Sequence, residues 1–564
     1  MTQKHKYQKL ELTWIGKGEE PKLEPRILVE NPEYSYGDPD SGNMLIHGDN
    51  LLALKALEQD YSGKIKCIYI DPPYNTGSAF DHYDDNLEHS TWLNLIGQRL
   101  RILWNLLSAD GTLWVSIDDY EIGYLRVLMD EICGRHSFIA TNIWQKRYSR
   151  ENREAIGDVH EYILVYAKNP DKFKLSRNKL PLTESQKKIY KNSTNNSGPW
   201  RTIPMTAQGF RPNQMYEIKS PGGRVHLPPE GRCWSMIEEK FRELEKQGRV
   251  YYGKDNNSQP NIIRFLSEVD GVVPWTWWPS DEVGHTDEAK KEMHYLFGKE
   301  NAFATPKPER LIERVIRIAT NEGDTILDSF LGSGTTSAVA HKMRRRWIGI
   351  EFGDHAISHC APRLVKVITN IDHGGISESV GWQGGGGFKF YTLAPSLLNQ
   401  DKYGNWVISK EYDPQKLAAA MAKQEGFRYN PHETLYWKQG VSSEQDFIFT
   451  TTQFVTVESL DQIHDDMQPG ESLLICCKSY QKGCKDKYKN ISIKKIPQML
   501  LGRCEFGRDD YSLNIVNMPV EDRPDDDSTD QDSTPDKPVS TAKKKGKRSV
   551  QEINKDNQQL SLFD

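Results

Sequence analysis

The run Asp71-Pro72-Pro73-Tyr74 combines an acid, two prolines and an aromatic ring directly after a short apolar stretch. Prolines stiffen the backbone, so the Asp71 carboxylate and the Pro72 carbonyl are expected in fixed positions. Both groups can accept hydrogen bonds from one amino group and so aim its lone pair. The Tyr74 ring can stack on a base that has left its duplex. The pattern predicts chemistry on an exocyclic amine of a nucleobase, and the alternative is a stiff turn with a surface tyrosine.

The second candidate site is the glycine-rich run 324–336, which reads DTILDSFLGSGTT. Gly332 and Gly334 allow the backbone to approach a ligand where a Cβ would clash. Glu351 ends the next predicted strand, where an acid can bind both ribose hydroxyls of a nucleoside. Ser337 replaces the third glycine of a dinucleotide motif, which favours a cofactor without a pyrophosphate over NAD. The alternative is an ordinary strand-to-helix turn.

Strand-like runs alternate with helix-period runs around both turns. The strands are predicted at 63–70, 111–117, 162–167, 325–327 and 347–350. The clearest helices are predicted at 92–107, 121–132, 311–320 and 335–343. This alternation predicts an α/β fold with a mostly parallel sheet, in which turns that follow strands lie in one crevice.

The chain of 564 residues is too long for one core, and lengths of roughly 150 residues per domain predict several domains. The α/β pattern lapses in a basic stretch, returns, and gives way to a glycine run at 384–387 that we interpret as a linker. The predicted segments are 1–167 and 282–375 for the two halves of the α/β domain, 168–281 for an inserted domain, 376–518 for a small α+β C-terminal domain, 519–557 for a disordered tether, and 558–564 for a terminal peptide.

The net charge of −6 by itself argues against nucleic acid as a ligand. Lysine and arginine are concentrated between residues 168 and 232, however, and a local basic surface matters more for phosphate binding than total charge. The eight cysteines lack paired C-x2-C spacing, so we expect no metal site and a reducing compartment. We see no signal peptide and no apolar run of about 18 residues, so we expect a cytoplasmic protein without a membrane span.

The two turns, in this order and with a basic insertion between them, resemble the amino-group DNA methyltransferases of the β arrangement. In that group the catalytic DPPY half precedes the target-recognition region and the cofactor-binding half follows it. The resemblance is most specific to the modification (Mod) subunits of Type III restriction systems, and it covers residues 30–375. It implies a Rossmann-like fold that uses S-adenosylmethionine to methylate N6 of a flipped-out adenine in duplex DNA. It also implies a role in restriction-modification or another phage defence.

The resemblance carries over residue by residue. The catalytic residues would be Asp71, Pro72, Pro73 and Tyr74. The cofactor-binding residues would be Asp49, Asn50, Phe303, Thr305, Lys307, Pro308, Asp328, Phe330, Gly332, Ser333, Gly334, Thr335 and Glu351. Within that set Asp49 would touch the cofactor adenine and the segment 303–308 would wrap the methionine moiety. Alternatively, Asp49 only caps a helix and Lys307 is an ordinary surface lysine.

Contacts with DNA are predicted in two places. One follows a strand end, and the other lies in the insertion, which we interpret as the target-recognition domain. The candidates are Arg147, Tyr148 and Arg150 at the strand end and Trp200, Arg201 and Arg211 in the insertion, and each residue could instead only support the fold. By the resemblance, Asp rather than Ser at position 71 favours adenine N6. A cytosine-N4 methyltransferase, an RNA methyltransferase and a noncatalytic DNA-specificity subunit remain alternatives.

The last residues read QLSLF before the final aspartate and resemble the short peptide by which bacterial proteins bind the DNA polymerase sliding clamp. The contact residues would be Gln559, Leu560, Leu562 and Phe563; the alternative is a chance match. The expected partners are therefore double-stranded DNA, a second copy of the chain in a homodimer, a restriction or other defence-system subunit, and the sliding clamp. We expect a bacterial or phage-encoded protein associated with the nucleoid.

Overall fold

The computed structural model describes residues 11–75, 85–148, 156–194 and 198–511. The chain divides into two compact units, Met1–Met518 and Pro519–Asp564, and the described residues belong to the first. Three predicted features lie outside the described residues: Arg150, the tether at 519–557, and the terminal peptide with Gln559, Leu560, Leu562 and Phe563.

The elements of the first third of the chain alternate between strand and helix. The strands are β1 (Leu28–Glu30), β2 (Tyr36–Gly37), β3 (Met44–His47), β4 (Ile65–Ile70), β5 (Leu107–Ile117), β6 (Phe138–Gln145) and β7 (His160–Ala167). The helices are α1 (Asn50–Tyr61), α2 (Asp85–Leu106) and α3 (Ile122–Met129).

The insertion consists of short elements. Its strands are β8 (Asn192–Thr194), β9 (Gly198–Pro204), β10 (Thr206–Gln208), β11 (Ile218–Lys219), β12 (Val225–His226), β13 (Arg232–Trp234), β14 (Val250–Tyr251) and β15 (Asn261–Phe265). Its helices are α4 (Pro170–Ser176), α5 (Glu184–Lys187) and α6 (Glu238–Lys246).

The α/β pattern then resumes. Its strands are β16 (Trp277–Trp278), β17 (Thr325–Asp328), β18 (Arg346–Glu351) and β19 (Gly387–Leu393). Its helices are α7 (Ser280–Val283), α8 (Thr286–Phe297), α9 (Glu309–Ala319), α10 (Thr335–Lys342) and α11 (Ala361–Ile368).

The C-terminal region is a mixture of strands and helices. Its strands are β20 (Leu398–Gln400), β21 (Trp406–Ile408), β22 (Arg428–Tyr429), β23 (Gly440–Val441), β24 (Asp446–Val455), β25 (Ser472–Tyr480) and β26 (Ile491–Lys495). Its helices are α12 (Pro414–Gln424) and α13 (Val457–Asp466).

One large mixed sheet organises the α/β part. Among the described residues it has eleven strands in the order β1-β19-β3-β18-β17-β4-β5-β7-β6-β16, with β2 paired to β19. The strands from β19 to β5 run parallel, whereas β7 is antiparallel to both of its neighbours. The sequence prediction of a mostly parallel α/β sheet is confirmed.

The sheet brings the two candidate turns together. Strands β4 and β17 are direct parallel neighbours, with Cys67 opposite Ile326 and Ile68 opposite Leu327. From β4 the chain proceeds through α2 to β5 on one side, and from β17 through α10 to β18 on the other. Ligands of open α/β sheets bind at such a switch point, in the crevice outside the carboxyl ends of the strands.

Helices cover both faces of this sheet, which explains why its central strands are almost continuously apolar. One face packs against helices α1 to α3 through Leu51, Leu54, Ile96, Leu103 and Leu125. The other packs against helices α9 to α11 through Leu311, Ile312, Val315, Val339 and Leu364. The result is a three-layer architecture with one apolar core on each side of the sheet.

The segment that we interpreted as a linker is instead packed. Ile376 is buried, and its backbone N–H donates to Glu309 at 3.0 Å. The Gly385 N–H donates to the carbonyl of Ile368 at 2.8 Å. Strand β19 follows directly and adds to the main sheet parallel to β3. The glycines allow the tight path that returns the chain to the sheet, so the α/β core continues beyond the boundary predicted at residue 375.

The insertion and the C-terminal region each have a small core of their own. The insertion contains the sheet β14-β15-β9-β8 and a cluster formed by Met205, Ile218, Trp234, Phe241 and Tyr252. The C-terminal region contains the five-stranded sheet β22-β23-β24-β25-β26 with α12 and α13. Within the described residues, no helix combines the length and hydropathy that a bilayer crossing requires.

Candidate active site

The Asp-Pro-Pro-Tyr turn begins where β4 ends, and neighbouring elements fix its backbone. The indole of Trp92 on α2 donates to the carbonyl of Pro73 at 2.7 Å. Asn75 adopts a φ of 58°, and its amide donates to the buried carboxylate of Glu121 at 2.7 Å. A backbone held from both sides in this way presents Asp71 to the crevice in one orientation.

Four side chains form a hydrogen-bonded cluster at this turn, and we call it the open cluster: Asp71, Tyr74, Glu161 and Lys307. The Tyr74 hydroxyl donates to Asp71 Oδ1 at 2.6 Å, and Lys307 Nζ donates to Asp71 Oδ2 at 2.7 Å. Glu161 Oε2 lies 3.2 Å from the Tyr74 hydroxyl and 3.4 Å from Lys307 Nζ. Lys307 Nζ also lies 3.1 Å from the Tyr74 oxygen. One ammonium and one phenol are thus shared between two carboxylates.

The protonation of the open cluster follows from its surroundings. Burial alone would lower the pKa of Lys307, but the charges of Asp71 and Glu161 outweigh burial and raise it. Burial, together with the same two carboxylates, raises the pKa of Tyr74 well above its usual value. Both groups therefore stay protonated at neutral pH and act as donors toward the carboxylates.

The glycine turn forms the opposite wall of the crevice. Gly332 has a φ of 54°, and a Cβ there would lie 3.3 Å from the ring of Phe303. Gly334 has a φ of 80° and is the residue before α10, where a Cβ would lie 3.3 Å from Cys360 Cα. Only glycine adopts these conformations readily while leaving the space next to the turn free.

Two acids stand at the ends of the strands beside this turn. Glu351 ends β18 and accepts hydrogen bonds from the N–H groups of Gly332 at 2.7 Å and Gly353 at 3.0 Å. Burial raises the pKa of Glu351. Asp328 ends β17 and accepts from the Phe330 N–H at 2.9 Å, and burial raises its pKa to about 7. Both carboxylates are therefore held in fixed positions in the lining of the crevice.

A single cavity joins the two turns. The predicted site residues that line it are Asp71, Pro73, Phe303, Thr305, Lys307, Asp328, Phe330, Gly332, Ser333, Thr335 and Glu351, and Tyr69, Leu331 and Thr336 line it as well. Of the six remaining predicted residues, Pro72, Tyr74, Pro308 and Gly334 adjoin this lining along the chain, whereas Asp49 and Asn50 do not. The structure thus brings the catalytic and cofactor predictions, made about 250 residues apart, into one site.

The Asp49 carboxylate does not line the cavity and is hydrogen-bonded to other parts of the chain. Its Oδ1 accepts from the Leu52 N–H at 3.0 Å and caps α1, as the alternative interpretation proposed. Its Oδ2 accepts from the Tyr511 N–H at 2.9 Å, and Arg99 lies 3.5 Å away. Asn50 donates to the carbonyl of Ser329, just before the glycine turn, at 2.8 Å. Both residues therefore support the cavity from behind rather than line it.

A second ion cluster supports the cavity from the other side, and we call it the sealed cluster: Glu309, Lys342, Arg363 and Asp372. Lys342 Nζ lies 2.8 Å from Glu309 and 2.7 Å from Asp372. Arg363 donates to Glu309 at 2.9 Å and to Thr335 Oγ1 at 2.8 Å. Their side chains are at most 2% exposed. This cluster fixes the glycine turn to the segment that carries Lys307.

The predicted DNA contacts fall into two groups. Tyr148 is 62% exposed, and its ring lies 4.4 Å from that of His285. Arg211 is exposed and hydrogen-bonds only locally among its described contacts, to Gln214 at 3.2 Å. Arg147 is half-buried next to Tyr148. These three residues are accessible to a ligand.

The other two candidates belong to the fold of the insertion. Trp200 is only 8% exposed and packs against Tyr251, with ring centroids 5.6 Å apart. Arg201 lies on the same strand, with its guanidinium 5.3 Å from the ring centre of Tyr190. Because the Trp200 indole is buried within the insertion, its position argues against a direct contact with a base.

Sequence reasoning missed Glu161. It lies on β7, whose alternation places it on the same face as Ile163 and Val165. An ionisable residue that continues the inward face of a buried strand is the signal that could have indicated it. Its partners Tyr74 and Lys307 are distant in the chain, so only the folded sheet reveals the contact.

The fold is that of a Rossmann-like methyltransferase, with a cavity at the switch point of its sheet. A model of the DNA methylase family matches residues 65–361, more than half of the chain, and the chain therefore belongs to this family.

The curated proteins similar to this chain include Mod subunits of type III restriction-modification enzymes. The chain is 33% identical over 352 residues to the StyLTI Mod subunit of a type III restriction-modification enzyme from Salmonella typhimurium, covering 56% of this chain and 51% of the relative. It is 30% identical over 401 residues to the EcoPI Mod subunit of Escherichia phage P1, covering 58% and 60%. The chain spans about half the length of the curated relatives it matches. Among solved structures, the cytosine-N4-specific PvuII DNA methyltransferase is 15% identical, covers 64% of this chain and 94% of its own, and has a TM-score of 0.32.

Proposed function

We propose that this protein is a DNA methyltransferase that transfers a methyl group from S-adenosylmethionine to N6 of an adenine flipped out of duplex DNA. We further propose that it is the modification component of a restriction-modification or related defence system. The observation that carries the proposal is the single cavity lined by both Asp71 and the glycine turn. Membership of the DNA methylase family and similarity to Mod subunits support it.

The residues around the glycine turn fit such a cofactor. The turn leaves open the space that a Cβ at Gly332 would fill, and Glu351 stands at the adjoining strand end, where an acid can bind ribose hydroxyls. Phe303 and Thr305 also line the cavity and would contact the methionine part. When bound, S-adenosylmethionine supplies an electrophilic methyl group.

The chain's own residues would orient the nucleophile. The lone pair of an adenine amine is delocalised into the ring, so it must be drawn out and aimed. The Asp71 carboxylate and the Pro72 carbonyl would accept its two N–H bonds, and the Tyr74 ring would stack on the base. Enzymes that modify a base inside a duplex extrude it into such a pocket. Tyr148 and Arg211 are the exposed candidates for contacts with the surrounding DNA.

The test is long-read detection of modified bases in DNA from a host that lacks its own N6-adenine and N4-cytosine methylation. The full chain is compared with Asp71→Ala. The expected result is N6-methyladenine at one short motif, absent from the variant. N4-methylcytosine at such a motif would instead establish the cytosine alternative. Unmodified DNA from a folded chain that still binds S-adenosylmethionine would contradict autonomous DNA methylation. It would favour a noncatalytic specificity subunit or an RNA substrate.

The partner assignments remain proposals. Similarity to Mod subunits supports a restriction partner. The homodimer is proposed from the family resemblance alone, and the sliding clamp from the terminal peptide alone. For the clamp, a peptide of residues 558–564 should bind the purified sliding clamp, and the substitutions Leu562→Ala plus Phe563→Ala should abolish that binding. Equal binding of both peptides would contradict the assignment.

A further inference from the structure

Glu161 is a second carboxylate in the active-site cluster that no motif assigns. It projects from β7, on the opposite side of β5 from the Asp71 turn, and is only 12% exposed. Its Oε1 lies 3.5 Å from Lys146, which is engaged more closely by Asp158 at 2.7 Å. Its Oε2 faces Tyr74 and Lys307. Glu161 is therefore directed mainly into the site rather than toward a separate ion pair.

When Asp71 binds the target amine, the Tyr74 hydroxyl needs another acceptor, and Glu161 can provide it. Asp71 already accepts the Tyr74 hydroxyl on one oxygen and the Lys307 ammonium on the other. The proposed function adds a third donor, the N–H of the target amine. A phenol has one proton to donate, and that proton can be directed to only one acceptor at a time. The Tyr74 hydroxyl has a second acceptor within reach, Glu161 Oε2 at 3.2 Å.

We propose that Glu161 is a positioning residue: it accepts the Tyr74 hydroxyl when Asp71 engages the target amine, and so keeps the stacking ring in place during methyl transfer. The proposal rests on the proposed function. The exchange requires only rotation of the hydroxyl proton, because the Tyr74 oxygen already lies within 3.2 Å of both carboxylates. Lys307, hydrogen-bonded to the same oxygen, holds it between the two acceptors.

The charges of the cluster agree with this role. Two carboxylates and one ammonium give the open cluster a net charge of −1, whereas Asp71 and Lys307 alone would be neutral. The amine nitrogen gains positive charge as it attacks the methyl group. A preorganised negative site stabilises that charge as it develops.

The first test compares Glu161→Gln with the matched control Asp158→Asn, which removes the other carboxylate beside Lys146 but touches none of Asp71, Tyr74 and Lys307. Single-turnover methyl transfer from labelled S-adenosylmethionine to unmethylated phage DNA is measured with full-length enzyme in excess. The glutamine amide keeps an acceptor for the Tyr74 hydroxyl but loses the negative charge, so a charge-assisted hydrogen bond becomes a weaker neutral one, and we expect a rate lower by about fivefold to tenfold for Glu161→Gln. Cofactor affinity, DNA affinity and melting temperature should stay near wild type, and Asp158→Asn should react normally.

A double-mutant cycle separates positioning through Tyr74 from a general structural effect. In a Tyr74→Phe background the hydroxyl is absent, so Glu161→Gln should cost much less than it does in the wild type. An equal cost in both backgrounds overturns the proposal, as does a wild-type rate for Glu161→Gln.

A readout independent of activity keeps the proposal separate from the proposed function. With 3-fluorotyrosine incorporated at position 74, the ¹⁹F resonance should shift in Glu161→Gln and stay unchanged in Asp158→Asn. If the wild-type chain methylates no DNA but the resonance shifts in Glu161→Gln and not in Asp158→Asn, the proposed function is refuted while the Glu161–Tyr74 contact stands. An active chain whose resonance is identical in both variants refutes the role of Glu161 alone.

Discussion

The open and sealed clusters have the same arrangement of charged groups and lie on either side of one short segment. In each, a lysine lies between two carboxylates: Lys307 between Asp71 and Glu161, and Lys342 between Glu309 and Asp372. Lys307 and Glu309 are separated by a single proline. The charged side chains of the open cluster are 12–25% exposed, and Asp71 and Lys307 line the cavity, whereas Lys342 is 0% exposed. The comparison predicts that access to a ligand, rather than residue type, decides which of the two clusters takes part in chemistry.

Disruption of the sealed cluster should lower the stability of the protein more than disruption of the open cluster. In Lys342→Met, Glu309 and Asp372 lose their shared cation where water cannot replace it. Removal of one partner from a buried ion pair typically costs about 3–5 kcal/mol. We expect a melting temperature lower by at least about 5 °C, together with a low yield of folded protein. Differential scanning fluorimetry measures the change, and a midpoint equal to that of the wild type would show that the cluster is not sealed.

The matching substitution in the open cluster should affect catalysis instead. Lys307→Met leaves Asp71 and Glu161 facing a cavity, where water can hydrate them, so the melting temperature should fall by only a few degrees. Loss of the charge-assisted bond to Asp71 predicts a methyl-transfer rate about tenfold to a hundredfold lower. Single-turnover kinetics measure it. A variant that unfolds like Lys342→Met would remove the distinction between the clusters.

The sequence predicted the parts of the site that short-range patterns determine. The strand before Asp71, the strand before Gly332 and the acid at Glu351 are all readable because strand periodicity and glycine turns are local properties. The parallel sheet then placed these turns side by side, as expected for α/β folds.

Side-chain partners could not be read in the same way. Glu161 and Asp71 are 90 residues apart in sequence, and the open cluster exists only because β7 lies next to β5. Asp49 looked like a ligand contact, yet the chain returns at Tyr511 to occupy one of its oxygens. Trp200 looked like a DNA contact, yet the insertion folds around it. In each example tertiary packing decides between two roles that the residue type permits equally.

The sealed cluster has a titratable neighbour. Glu292 lies beside it, and its Oε2 accepts the Glu309 N–H at 3.2 Å. Burial, followed by the negative charge of Glu309, raises the pKa of Glu292 from 4.5 to about 8. A carboxyl whose pKa is higher in the folded state contributes stability that is complete below pH 4.5 and is lost as the pH rises toward 8.

Glu292→Gln should therefore weaken the pH dependence of stability. The amide keeps an acceptor for the Glu309 N–H but cannot ionise. Between pH 5 and pH 8.5 the wild type should lose about 1 kcal/mol or more that the variant retains. Thermal melting at both pH values measures this, with Glu313→Gln, whose partner is Arg317 on the same helix, as the control. A variant with the pH dependence of the wild type would show that Glu292 does not titrate in this range.

Salt concentration should change the stability loss of the two lysine variants differently, and this is the smallest of the expected effects. Removal of Lys307 leaves two carboxylates that repel each other next to solvent. Mobile ions screen this repulsion strongly at 1 M salt, where the screening length is about 3 Å, and weakly at 0.01 M, where it is about 30 Å. The stability lost in Lys307→Met should therefore shrink by about 0.5 kcal/mol between low and high sodium chloride. The loss in Lys342→Met should stay constant, since ions cannot enter the sealed cluster. Urea unfolding of both variants and the wild type at each salt concentration gives the comparison. Equal salt dependence in both variants would mean that solvent reaches both clusters alike and that exposure does not distinguish them.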